Sequence, residues 1–430
     1  MMRRFILAAA LALPSLVFAQ SAVLPPAEAA ARAYANAERR ELAANVAEYT
    51  FTVRVGDGPH DRIGIHRIVK ESAPGQPVST SKAVFLAPGD IWNFRAAFVT
   101  GARPLPVFLA ENGVDVWGID YRWTLVPGNT ADTSFMTSWG LEQDATDLGY
   151  ALSVARFVRT MSGDGHGKLF LLGWSRGGQI GYAYLNGESQ LPAAQRQVQG
   201  FIPVDVYLKT DDAQLKAFAC AREQNTNGAI AAGQVANPTG GLVSALGALA
   251  LYDPNGSSIL NGPPFHLGDY TNRQTGLLVG EATFLLQGGL EVAPFYHFTG
   301  GTFGADGKPA GLLYSNEADL FSFEQAASTF QPNRELADAD AATCETTDVL
   351  FDDHLSDITV PVLYIGAGGG FGEYGVYTTA LLGSTDVTSL VISKVPSNQR
   401  LFDYGHADLF LAHDADELVW QPMLNWISAR

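Results

Sequence analysis

Cysteine, methionine and basic side chains are scarce in this 430-residue chain: two Cys, five Met, and 27 Lys plus Arg against 44 Asp plus Glu, a formal charge of −17. So few thiols exclude a cysteine-rich zinc module or a small disulfide-stapled scaffold. The acidic balance argues against clustered Lys and Arg on a phosphate-binding surface, and so against a nucleic-acid partner. Charged residues make up only 17% of the chain and hydrophobic ones 47%, too apolar a balance for a disordered polymer. The 45 Gly and 22 Pro follow no short period, which excludes a collagen-like fibre, and neither a coiled-coil pattern nor an internal repeat is present. Beyond the N-terminus the longest apolar stretch, Leu242 to Leu251, falls well short of the ~20 residues that cross a bilayer. A globular protein with a large core remains, either one large domain with an insertion or two to three ordinary domains.

Arg3 and Arg4 precede an apolar run from Phe5 to Phe18, and Val17-Phe18-Ala19 sets small residues at the −3 and −1 positions of a cleavage site. Residues 1–19 therefore read as a signal peptide, removed near Gln20, and the mature chain as exported, either periplasmic or secreted. No Cys follows that site, so a lipid anchor is not expected. Export permits disulfides. The only thiols are Cys220 and Cys344. Bridging them closes a long loop and would stabilise by roughly 4–5 kcal/mol in the chain-entropy model; two buried free thiols are the alternative.

An Ala-rich stretch from Pro25 to about Val46 predicts a helix. Tyr49–Val53 and Ile63–Ile68 alternate with period two around Gly56-Asp57-Gly58, the pattern of a hairpin with one solvated face. Four short apolar runs follow, at Ala83–Leu86, Val114–Ile119, Leu169–Leu172 and Phe201–Val204, separated by helical stretches such as Glu142 to Met161. Strands buried on both faces read this way, and their alternation with helices implies crossover units in a parallel sheet. The pattern breaks between about Leu208 and Ser356. It resumes at Val360–Ile365 and Ser389–Ile392 and ends in a helix from Ala415 to about Ser428. The fold class is α/β: a mostly parallel sheet domain, residues 20–207 and 357–430, interrupted after the sixth strand by a cap, residues 208–356.

Gly173-Trp174-Ser175-Arg176-Gly177 follows directly on the run Leu169–Leu172 and leads into a helix-like Gln179-Ile180-Gly181-Tyr182. Glycines two residues either side of a serine let strand and helix approach closely while the serine occupies a strained turn with its hydroxyl presented. The pattern alone recurs by chance; the strand before it and the helix after it give it weight. A serine hydroxyl is a poor nucleophile without a base. Of the eight histidines, His406 stands in Asp403-Tyr404-Gly405-His406-Ala407-Asp408, a loop after the last strand and just before the terminal helix. His413 and the other six read as structural.

With the serine turn and this histidine loop, the chain resembles the α/β-hydrolase superfamily, serine carboxylesterase- or lipase-like, over most of its length outside the cap. The resemblance implies a serine, histidine and acid acting together. Most members place the acid shortly after the strand matching Val360–Ile365, but here Gly366-Ala367-Gly368-Gly369-Gly370-Phe371-Gly372 intervenes and the first carboxylate is Glu373. Other members place it after the strand that follows the nucleophile helix, which here gives Asp205. A carboxylate ending an apolar strand is costly to desolvate without a partner, which favours Asp205 over Glu373. The oxyanion hole implied by the resemblance takes the backbone N–H of Arg176 and that of Asp90, with Ile91 as the alternative; the Asp90 side chain must then turn away from the developing charge.

Weaker constellations remain. Asp352-Asp353-His354 matches no zinc or calcium spacing, so no metal is expected. Gly366–Gly372 lacks the Lys-Ser/Thr ending of a phosphate loop. Trp174, Ile91 and Trp123 are candidate substrate-binding residues, and Trp117 is another strand-end tryptophan. The cap carries Phe265, Tyr270, Phe284, Phe295, Tyr296, Phe298 and Phe303, apolar surface enough to wall a pocket over the C-terminal sheet edge. An acidic protein with an apolar cleft disfavours anionic substrates. The expectation is hydrolysis of a neutral, fairly hydrophobic ester, small or polymeric, without a cofactor; an amidase or peptidase, or a non-catalytic binding module on the same fold, are the alternatives.

Overall fold

The computed structural model describes residues 27–101 and 103–430. The signal peptide assigned to residues 1–19 and the cleavage near Gln20 lie outside the described residues. Fourteen strands follow in chain order: β1 (Glu38–Ala43), β2 (Val46–Arg54), β3 (Arg62–Ala73), β4 (Gln76–Pro77), β5 (Lys82–Ala87), β6 (Val114–Asp120), β7 (Leu169–Trp174), β8 (Val198–Val204), β9 (Ala236–Asn237), β10 (Gly301–Phe303), β11 (Pro309–Leu312), β12 (Gln331–Pro332), β13 (Val362–Ala367) and β14 (Val387–Ile392). The main sheet runs β1-β2-β3-β6-β5-β7-β8-β13-β14, with β4 beside β3. The first three strands are antiparallel to their neighbours, β3 against β6 included, and from β6 onward every pairing is parallel.

Because strand side chains alternate, the buried runs feed two cores. Val84, Leu86, Val116, Phe170, Leu172, Trp174, Ile202 and Val204 face one layer, with Phe94–Phe98, Leu105–Glu111 and the C-terminal Gln421–Ser428 helix packed on it. Phe85, Trp117, Ile119, Leu169, Leu171 and Phe201 face the other, under the helices Leu141–Met161 and Arg176–Ser189. The chain has the α/β-hydrolase sheet with helices on both faces.

Three local expectations change. The N-terminal helix covers only Ala27–Ala35, and Glu38–Ala43 is an edge strand instead. Arg39 and Arg40 there reach Glu71 and Glu48, so cross-strand ion pairs override the helical composition. The long segment between β8 and β13 thus follows seven long strands, not six. Third, the terminal helix is regular only over Gln421–Ser428: a π-helical turn, Asp416–Trp420, precedes it, where Pro422 removes an N–H from the ladder. Between β8 and β13 the described residues form five α-helices: Ala213–Ala231, Thr239–Tyr252, Asn272–Glu281, Glu317–Gln325 and Asn333–Cys344. Cys220 and Cys344 are bonded, tying the first of these to the last. The apolar helix Thr239–Tyr252 buries Val243, Leu246 and Ala250, packed beside Glu317–Gln325, and leaves Tyr252 exposed. Asp352 pairs with Lys209 Nζ at 2.6 Å. Among the described residues no helix is long and apolar enough to cross a membrane.

His66 in β3 is fully buried between Glu48 of β2, at 2.8 Å, and Asp120 of β6, at 3.0 Å. Burial pushes the imidazole down, but the two carboxylates outweigh it and hold its pKa up at about 9. Asp120 also accepts the Phe94 N–H at 2.8 Å, so the charged ring helps hold the helix that follows the β5 loop. A base whose pKa rises on folding stabilises fully below its unfolded value and loses that contribution as pH climbs through the folded one. His66→Gln is therefore expected to destabilise by on the order of 3 kcal/mol at pH 6. The gap from the parent should narrow as pH rises through 9, as urea midpoints at the two pH values would show.

Candidate active site

Three non-glycine residues that follow parallel strands have left-handed φ: Ile91, in the loop after β5, at 54°, and Ser175 and Asp205, directly after β7 and β8, at 56° and 47°. A β-branched residue there is a true outlier, and such strain persists only where surroundings enforce it. All three belong to the segments singled out by sequence.

Ser175 directly follows β7 and caps the helix Arg176–Ser189, with φ 56° and ψ −127°, and the residue is only 9% exposed. Its N–H donates to Val204 O at 2.9 Å, and Trp174 pairs in register with Val204. Asp205 is the next residue, so Ser175 and Asp205 stand at neighbouring strand ends, a strand spacing being about 4.8 Å. A side chain on Gly89 would meet Ser175 Cβ within 2.7 Å, which brings the loop after β5 directly against the serine.

His406 Nδ1 lies 2.6 Å from Asp205 Oδ2, both groups buried. The carboxylate only accepts, so Nδ1 is the donor and, in the neutral ring, Nε2 is the acceptor. The imidazole stacks on the Trp174 indole at 4.8 Å and 27°, beside the serine. Tyr296, Phe298 and Phe371 complete an aromatic surround, with centroids at 5.3, 5.8 and 5.5 Å. The loop is fixed by His406 N–H to His297 O at 2.9 Å and Ala407 N–H to Phe298 O at 2.7 Å. Buried Asp408 accepts the N–H of Gly405 and of Gly300, each at 2.8 Å.

Asp205 has a second set of partners that the glycine run supplies. Its Oδ1 accepts N–H groups from Ala367 at 2.8 Å and Gly372 at 2.9 Å, and both oxygens face the Phe371 N–H, at 3.1 and 3.0 Å. A side chain on Gly370 would fall on Asp205 Oδ2. The loop that resembled a phosphate cradle is thus a nest of amides around a carboxylate. Glu373, the alternative acid, is solvent-exposed at the start of the helix Tyr374–Ala380 and the structure does not bring it to His406.

Among the described residues neither the Arg176 amide nor that of Asp90 donates a hydrogen bond. The Asp90 carboxylate is held by Arg176 Nε at 2.8 Å and Gln331 Nε2 at 2.6 Å, so its charge is answered away from its own backbone. Ile91 offers its carbonyl to Ser328 N–H at 2.7 Å, which fixes that peptide to the long segment between β8 and β13. Burial pushes the Glu335 carboxyl up although Arg176 stands 3.8 Å away, and Arg176 makes its shorter contact, 2.8 Å, with Asp90.

The candidate binding residues separate. Trp174 is in place against His406. Trp123 is not: it stacks on Tyr121, 6.4 Å between centroids, in the core on the opposite sheet face, together with Trp117. Of the seven aromatic residues expected to wall a pocket, Tyr296 and Phe298 reach His406, whereas Phe265 and Phe295 are largely exposed. Sequence reasoning missed Trp92 and Phe323, whose rings lie 3.7 Å apart at a 30° tilt, with Phe323 5.9 Å from Trp174, and it missed Gln331. Only the glycine run carried a usable signal, since consecutive flexible peptides can turn several amides toward one anion.

No family model and no curated protein matches the chain. Solved structures do. A candidate lipase from Sulfolobus solfataricus aligns with TM-score 0.57 at 18% identity, covering 92% of this chain and 99% of its own. A soluble variant of monoglyceride lipase from Saccharomyces cerevisiae aligns at 0.44 and 12%, covering 91% and 94%. A thermophilic esterase from Thermogutta terrifontis aligns at 0.40 and 12%, covering 88% and 98%. At such identity the first likeness establishes the fold and nothing finer.

Proposed function

We propose that this α/β-hydrolase scaffold is an exported serine hydrolase of neutral, fairly hydrophobic carboxylic esters, acting through an acyl-enzyme. The Asp205–His406 contact of 2.6 Å, set beside a strained serine at the adjoining strand end, carries the reading. Ser175 Oγ attacks the ester carbonyl as His406 Nε2 takes its proton; the Arg176 and Asp90 amides receive the developing oxyanion. His406 then protonates the leaving alcohol. Water repeats the sequence on the acyl-enzyme, releasing the acid and restoring the hydroxyl. Asp205 orients the imidazole and stabilises its charged form. Residues 208–356 serve as a cap whose Tyr296, Phe298 and Phe323 surround the site, which favours apolar acyl or alcohol groups over charged ones.

A fluorophosphonate probe tests the reading. The mature protein should label at Ser175 and turn over p-nitrophenyl esters of graded acyl length, with matched anilides cleaved far more slowly. Comparable anilide rates would make it an amidase. Absence of both labelling and turnover would leave a binding module on this fold.

A further inference from the structure

The oxyanion loop and the nucleophile elbow are joined by a side-chain clamp that extends into the inserted segment. Arg176, whose amide is one donor in the proposed mechanism, sends its guanidinium back across the loop to Asp90, whose amide is the other: Nε to Oδ1 is 2.8 Å and Nη2 to Oδ2 is 3.5 Å. Gln331 of β12 donates Nε2 to the same Oδ1 at 2.6 Å and lies 3.4 Å from Glu335 Oε2. On the far side Arg176 Nη1 bonds Gln179 Oε1, and Gln179 Nε2 reaches Tyr207 O at 2.8 Å. Ser328 N–H on Ile91 O, at 2.7 Å, ties the same stretch of inserted chain to the strained loop. Arg176 is only 10% exposed, and Asp90, although 42% exposed, has an oxygen held from two sides.

We infer that Arg176, Asp90 and Gln331 form a positioning clamp that fixes the spacing of the two oxyanion-hole amides and makes their alignment depend on the docked inserted segment. The inference rests on the serine-hydrolase reading. The physical case is that a positive-φ turn at Ile91 has no local hydrogen-bond ladder to hold it, apart from a long Trp92 N–H to Gly89 O contact of 3.4 Å. Donors for a transition-state charge act only if held within a few tenths of an ångström of their places. An Arg–carboxylate contact whose guanidinium is mostly buried supplies that rigidity, because it is charge-assisted at two nitrogens and its planar fork loses little freedom. Gln331 adds a third point of attachment from outside the sheet domain. None of the three side chains needs to touch substrate.

Asp90→Asn, Gln331→Ala and the double variant test the clamp on the full mature chain. Each single variant is expected to lower kcat by about 10- to 100-fold with KM within about two-fold, since the donors act on the transition state. Affinity for a boronic-acid analogue of the tetrahedral intermediate should fall by the same factor as kcat/KM. The double variant should be no slower than the worse single one, the mark of groups acting as a unit. Gln331→Glu should be slower than Gln331→Ala, because it sets a second carboxylate against Asp90. Thermal melts identify any variant that fails to fold. Variants that fold, keep parent kcat and bind the boronic acid as tightly as the parent would overturn the clamp while the serine-hydrolase reading stands. A parent protein that neither labels nor turns over would remove both.

Discussion

Ser175→Gly should lose activity and gain stability at once. Removing the attacking oxygen is expected to lower kcat by about a million-fold, the scale seen when a nucleophile acting in a unit is deleted. The backbone at φ 56° and ψ −127° is strained for any residue with a Cβ. Such strain costs about 1–3 kcal/mol, and glycine relieves it against an unfolded-state penalty of about 0.5–1 kcal/mol. The net is a gain of about 1 kcal/mol, read as a rise in Tm of about 1 °C for a chain of this size. Ser175→Ala should show the same loss of turnover with no such rise. The contrast separates strain held by the fold from the chemistry it serves; a glycine variant less stable than the alanine one would contradict it.

Asp205→Asn is expected to lower kcat by about 10,000-fold with little change in fold, for a reason written into the amide nest. Oδ1 accepts N–H groups from Ala367, Phe371 and Gly372, so an asparagine must place its carbonyl oxygen there. Its amide nitrogen then faces His406 Nδ1 as a donor. That reverses the imidazole tautomer and puts a proton on Nε2, where the serine needs an acceptor. The imidazolium also loses its compensating charge. Steady-state kinetics on a p-nitrophenyl ester measures the loss, and Glu373→Gln, at an exposed site, should remain within about two-fold of the parent. If Glu373→Gln is the slow variant instead, the acid has been misplaced.

Much of this was legible before any coordinates. The parallel strands β5 to β8 and β13 announce themselves because strands buried on both faces leave continuous apolar runs. The serine turn could be read because its glycines serve a local steric need. Asp205 was legible through cost: a carboxylate ending an apolar strand demands a partner. Other features were not, because their causes lie far away in sequence. Glu38–Ala43 has a helix-like composition, and its pairing with β2, with Arg39 and Arg40 reaching Glu71 and Glu48 across the sheet, makes it a strand. The aromatic residues around His406 come from an irregular path with no periodicity, so Tyr296 and exposed Phe295 look alike in sequence. Trp123 stands three residues beyond the end of β6, and its packing in the opposite core could not be read from its type alone. Gln331, an uncharged side chain in a two-residue strand, offers no sequence signal; its meaning lies in Asp90, 241 residues away.

The most direct measurement is a crystal structure of the mature protein after reaction with an alkyl fluorophosphonate. Phosphorus should be bonded to Ser175 Oγ, with one phosphonyl oxygen about 2.7–3.1 Å from both the Arg176 and Asp90 amides and His406 Nε2 facing the alkoxy oxygen. An adduct on another residue, or a phosphonyl oxygen turned away from those amides with His406 detached from Asp205, would contradict it.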